Sequence, residues 1–155
     1  MQDIDSKLKT MGIDLDRTNP PAGSYVPYIN HNGLLIMSGQ TCKQDGKLIF
    51  RGKVGQEFGV EQGIEAARLC GINLVKQLYK ACQGDWSNLE QSLKLTVFIN
   101  CTAEFEHMPK VADGASDLLL DLFGDKGRHT RVAVGAYALP GGSAVEIEGT
   151  FALTQ

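Results

Sequence analysis

The spacing of apolar residues divides the chain into helical and extended stretches. Between Asp3 and Ile13, apolar Ile4, Leu8 and Met11 recur at helical intervals before a Gly12 stop, which predicts a short amphipathic helix. Asp14 to Gly23 is a Pro/Gly-rich connection. Ser24 to Asn30 reads as a first strand, His31-Asn32-Gly33 as a tight turn, and Leu34 to Ser38 as a second strand. A turn at Lys43 to Gly46 leads to a short strand at Lys47 to Phe50, and Gly52 to Gly59 is read as surface loop. Val60 to Cys82 carries the clearest helical pattern. Ile64, Ala67, Leu74, Val75 and Leu78 form its apolar face, and Glu65, Arg68, Lys76 and Lys80 the opposite one. After Asp85 to Asn88, the stretch Leu89 to Cys101 alternates Leu93, Leu95, Val97 and Ile99 with polar or outward positions, as a strand does. His107 to Phe123 returns to helical spacing through Met108, Val111, Leu118, Leu119 and Leu122.

The last thirty residues organise the rest. Arg131 to Leu139 is small, β-branched or aromatic, Pro140 to Ser143 punctuates the chain, and Ala144 to Leu153 alternates again. This predicts a β-hairpin. With the turn centred on Gly141 and Gly142, Tyr137 faces Glu146 and Gly135 faces Glu148. Arg131, Glu146 and Glu148 then share one face of an apolar hairpin, where a charge needs a partner or a purpose. Arg131 and Glu146 would still lie about six residues, or roughly 20 Å, apart along the ladder. They could converge only across a subunit interface.

The order β-β-(β)-α-β-α-β-β is an α+β pattern: a mixed sheet with two helices packed on one face. Residues 1–155 make a single domain, with 1–19 an N-terminal extension that holds the short helix. A sheet covered on one side only, with Val, Ala and Tyr on the other, exposes an apolar patch that calls for an oligomer.

Composition narrows the function. A net charge of −3 and a pI near 5.6 supply no electrostatic footprint for nucleic acid or an anionic membrane. No apolar run approaches a membrane span, and the N-terminus lacks an export-type apolar stretch. Cys42, Cys70, Cys82 and Cys101 form no C-x-x-C pair and read as reduced thiols of a cytoplasmic protein. His31, His107 and His129 share no ligand spacing, so no metal is expected. Gly141-Gly142-Ser143 joins two strands without a Lys and is no P-loop. Asp113, Ser116 and Asp117 read as the solvated face of a helix, and His129, two residues from Arg131, as a solvated loop histidine, with a place at the mouth of a pocket as the alternative.

Arg131, eight residues before Leu139-Pro140, followed by a Gly-rich turn and Val145-Glu146-Ile147-Glu148, resembles the C-terminal signature of the RidA (YjgF/YER057c/UK114) family. Pro20 to Tyr25, followed by Gly33-Leu34-Leu35 and Ser38-Gly39-Gln40, is similar to that family's P-A-x-G-x-Y … G-x-L-x-x-x-S-G-Q stretch. The match spans Pro20 to Leu153. Cys is frequent in the family two residues after the Arg, where Ala133 stands here, and the segment before Pro20 is longer than usual; both mark a divergent branch.

The resemblance implies a chorismate-mutase-like fold, a homotrimer with ligand clefts between subunits, and no cofactor. It implies hydrolytic deamination of 2-imino or 2-enamino acids to 2-keto acids and ammonia. Arg131 would bind the substrate carboxylate, and Glu146 would orient or protonate the reacting groups. Tyr25, Gly39 and Ser116 would line the pocket, Ser116 in place of a helical Asn. For each residue a plain structural role competes: an ion pair with Glu146 or Glu148 for Arg131, an edge aromatic for Tyr25, turn chemistry for Gly39. A protein of the same fold that binds a small carboxylate without turnover is the alternative function. Ribonuclease activity, attached to some relatives, is disfavoured by the acidic charge.

Overall fold

The computed structural model describes residues 3–155; the first two residues of the segment 1–19, expected from sequence to be an extension, lie outside that range. The elements follow as α1 (Ile4–Thr10), β1 (Tyr28–His31), β2 (Leu34–Thr41), β3 (Lys43–Gln44), β4 (Lys47–Leu48), α2 (Val60–Ala81), β5 (Leu89–Asn100), α3 (Met108–Phe123), β6 (Thr130–Ala136) and β7 (Val145–Leu153). Five strands form one mixed sheet in the order β1-β2-β7-β5-β6, and β3 with β4 makes a separate small hairpin. The fold is α+β. Both two-residue turns have left-handed backbone, at Asn32-Gly33 and at Asp45-Gly46, which matches the twist of the strands they join.

One face of the sheet carries Leu35, Met37, Leu95, Val97, Ile99, Val145, Ile147 and Phe151, all buried against α2 and α3. Helix α2 begins at Gly59, whose N–H donates to Gln62 Oε1 at 2.8 Å. Helix α3 begins with Pro109 in its first turn, where no N–H is missed, and ends at Gly124 with φ +58°. The two helices touch backbone to backbone. A Cβ on Gly114 would lie 2.1 Å from Ile64 O and 3.0 Å from Arg68 N, both on α2. Gly114→Ala therefore forces the helices apart and destabilises the protein by about 2 kcal/mol, overpacking outweighing alanine's helix propensity. A urea titration measures it; an unchanged midpoint would show that α3 slides without cost.

The predicted C-terminal hairpin does not form. Strand β5 lies between β6 and β7, parallel to the first and antiparallel to the second. Alternation with a Gly-rich turn describes two strands but not whether they are neighbours. Here α3 returns the chain to run β6 beside β5, and Pro140–Gly142 then crosses the end of β5. Asn100 N–H closes this crossing by donating to Ala144 O at 2.9 Å. Two smaller corrections follow. Ser24 to Pro27 bends rather than joining β1. The Gly52 to Gly59 segment is anchored at Val54, fully buried and bonded to Asn100 O and Thr102 N.

The other sheet face is open. Ile29 (59%), Ile36 (54%), Val132 (43%) and Val134 (39%) stand exposed on it.

Candidate functional site

Glu146 leaves the open face of β7, paired with Phe98 on one side and Thr41 on the other. Beside it, β2 breaks register between Met37 and Gln40, a bulge that brings Gly39 under the Glu146 side chain. A Cβ there would lie 2.4 Å from Glu146 Oε1, so the glycine is what leaves the carboxyl its room. Tyr25 comes from the bend before β1, and its hydroxyl oxygen accepts from Ala22 N–H at 3.3 Å. Glu146, Gly39 and Tyr25 share a cleft of about 510 Å³. Its walls are Asn19 to Ala22, the β3–β4 hairpin, and Arg51 with Pro140 and Gly141. Asn19 Oδ1 accepts from Gly46 N–H at 3.3 Å, tying the N-terminal segment to the hairpin. Burial raises the Glu146 carboxyl above the ordinary carboxylate range, and the neighbouring Glu148 charge adds to it. Among the described residues no side chain pairs with Glu146.

Arg131 is elsewhere. It pairs with Leu95, whose side chain is buried under the helices, so it points to the helical side of the sheet. Glu146 and Glu148 point to the open side, and the shared face expected for the three charges is overturned. The offset is also shorter than the hairpin implied: Arg131 is level with Leu95 and Gly149, Glu146 with Phe98. The ion-pair partner is Asp113 of α3, at 2.8 Å from Nη1, not Glu146 or Glu148. Nη1 also donates to Ser116 Oγ (3.0 Å), and Nη2 to Pro109 O (3.1 Å). Among the described residues, Nε–H and one Nη2 hydrogen keep no acceptor.

Ser116 is 7% exposed, so Asp113 and Ser116 do not form a merely solvated face. Its Oγ lies 2.9 Å from His129 Nε2, while His129 Nδ1 lies 2.7 Å from Gly127 O. A carbonyl only accepts, so Nδ1 carries a proton, and in the neutral ring Nε2 then accepts from Ser116. The Ser116 oxygen is thereby turned to accept from Arg131. His129 is an ordered member of this network rather than a solvated loop residue. Ser116, Leu120, Arg128, His129 and Arg131 line a second cleft, about 500 Å³, that shares no residue with the Glu146 cleft. Among the described residues no group of His, Cys, Asp or Glu could hold a metal ion.

The sequence carries no signal for Asp113, Pro109 O or the cations around the Glu146 cleft as site groups. A carbonyl leaves no signal there, and Asp113 reads as any exposed helical acid.

Residues 5–148 match the family model described as "YjgF/chorismate mutase-like, putative endoribonuclease". The chain belongs to the RidA (YjgF) family. It is 39% identical over 146 residues to Protein TCP17 of Trypanosoma cruzi, covering 94% of this chain and 91% of that one. A protein of unknown function from Agrobacterium tumefaciens superposes with a TM-score of 0.88 at 35% identity, covering 97% of this chain and 92% of that one. A Shewanella oneidensis protein with the same endoribonuclease label gives 0.91 at 34% identity, covering 97% and 99%. Membership in the RidA family accounts for the mixed sheet and paired helices. No described helix is long and apolar enough to cross a membrane.

Proposed function

We propose that this RidA-family chain hydrolyses reactive 2-imino and 2-enamino acids to 2-keto acids and ammonia. The observation that carries the reading is Glu146: a half-buried carboxyl, raised above its usual range and unpaired, on the floor of a cleft with Tyr25 and Gly39. A general acid needs such a carboxyl. The N–H donors that Arg131 keeps free at Nε and Nη2 can take a substrate carboxylate. Bound there, the substrate presents its imine carbon to water. Water adds to that carbon as Glu146 gives a proton to the nitrogen and takes one back from the water; Glu146 then protonates the amine of the carbinolamine, and the hydroxyl proton returns to Glu146 as the C=O bond forms and ammonia leaves. The C=N double bond is already electrophilic, so the chemistry needs no cofactor.

The Glu146 and Arg131 clefts are separate within one chain, and the open sheet face exposes Ile29, Ile36, Val132 and Val134. A homotrimer that buries this face and sets Arg131 of one subunit beside Glu146 of the next resolves both features. Sedimentation equilibrium should give three times the 16.8 kDa chain mass; a monomer at micromolar concentration would rule the shared cleft out. The four cysteines are free thiols, which suits the cytoplasm.

The test is the disappearance of 2-aminoacrylate and 2-iminobutanoate, generated in situ by a dehydratase, with and without the protein. Acceleration over buffer supports the deaminase. Rates equal to buffer, with 2-keto acid still bound in calorimetry, would leave a carboxylate-binding protein.

A further inference from the structure

The wall of the Glu146 cleft carries Lys43, Lys47 and Arg51, three cations against the one carboxylate of Glu146, in a chain whose net charge is −3. Among the described residues none of the three forms an ion pair. The acid nearest in sequence, Asp45 in the turn between the two lysines, is taken by Arg17 at 3.3 Å. Arg17 also holds Asp14 at 3.2 Å, so the N-terminal segment draws acidic charge away from this wall.

The stem of the exposed Arg51 side chain lies against the Gly142 backbone. A Cβ on Gly142 would lie 3.2 Å from Arg51 Cγ and 3.4 Å from Nε, so the bare glycine backbone is the surface its stem rests on. Gly142 has φ +81°, a conformation that favours glycine, and its carbonyl accepts from Gly52 N–H at 2.9 Å. The backbone of Arg51 itself bridges Ser143. The two lysines stand on β3 and β4, fixed by the Lys43–Leu48 and Gln44–Lys47 pairs. Two independent elements therefore line one concave space with three cations, against the single carboxylate of Glu146 among the described residues. Such a cleft concentrates an anionic ligand. A substrate whose only charge is the carboxylate held by Arg131 leaves these cations unused.

We propose that Lys43, Lys47 and Arg51 form a second anion subsite, and that the preferred substrates are 2-imino acids with a carboxylate on the side chain. The inference rests on the deaminase reading for its first carboxylate and its reaction. The subsite itself rests only on the cleft wall.

The experiment compares 2-iminoglutarate with 2-iminobutanoate, each generated in situ, on the wild type and on Arg51→Gln and Lys43→Gln. The wild type should favour the dicarboxylic imine in kcat/KM by about tenfold or more at low salt. Both variants should lower that ratio, Arg51→Gln by most of it, and 0.5 M salt should shrink it in the wild type through screening. Circular dichroism checks that the variants fold. Equal or faster turnover of 2-iminobutanoate by the wild type would overturn the subsite and leave the deaminase standing. If neither imine is turned over, the deaminase reading falls, and calorimetry with 2-oxoglutarate and 2-oxobutanoate decides the subsite. Tighter binding of 2-oxoglutarate that Arg51→Gln abolishes upholds it on a binding protein; equal affinity, or no binding of either, overturns it.

Discussion

On the proposed deaminase reading, Arg131→Ala should lower kcat/KM for 2-imino acids by about 10²- to 10³-fold, the effect of removing one partner of a hydrogen-bonded charge pair, roughly 3–4 kcal/mol. The fold survives, because Arg131 lies on the edge strand β6, two of its lost partners, Asp113 and Pro109 O, are at the surface, and the buried third, Ser116 Oγ, keeps His129 Nε2 at 2.9 Å. Arg131→Lys does not restore activity. An ammonium on a flexible stem cannot hold Asp113, Ser116 and Pro109 O and still present two parallel donors to a carboxylate. His129→Ala acts one step further out. It frees the Ser116 hydroxyl to turn, loosens Arg131 and raises KM more than it lowers kcat. Steady-state kinetics on all three, with dichroism for folding, checks this. Equal kcat/KM for wild type and Arg131→Ala would remove Arg131 from the site.

The parts of this molecule that were legible in sequence are those written in local periodicity. Helices α2 and α3 and strand β5 are long enough for their spacing to be unambiguous. Pairing is not local. The β6 and β7 segments each carry a strand pattern, yet the turn between them suggests adjacency where β5 separates them. That one error placed Arg131 on the face of Glu146. The motif residues Tyr25, Gly39 and Glu146 do meet in one cleft, and Ser116 does touch Arg131. The family resemblance named them together; neither spacing nor composition would have. Arg51 had no such help. It sits in an aperiodic stretch, and its place on the cleft wall depends on Gly142, distant in sequence.

If Glu146 is the general acid of the proposed reaction, Glu146→Gln should lower kcat by about 10²- to 10⁴-fold, the usual contribution of a positioned general acid, and at the same time stabilise the protein at neutral pH. The second effect follows from the raised carboxyl, held up by burial first and by Glu148 second. The folded state binds this proton more tightly than the unfolded chain does, so ionised Glu146 costs stability. That cost is fully present above the raised folded value and disappears as pH falls through it into the ordinary carboxylate range. Glutamine never ionises. Its melting-temperature advantage should therefore be largest at neutral pH and vanish in acid, whereas a mere packing gain would persist at every pH. Activity carries the same signature: kcat in the wild type falls as pH rises through the Glu146 ionisation. Glu148→Gln, which removes the neighbouring charge, should move that limb to lower pH without abolishing turnover. A kcat unchanged in Glu146→Gln would assign proton delivery to another group, and the raised carboxyl would then be a cost of folding with no return in chemistry.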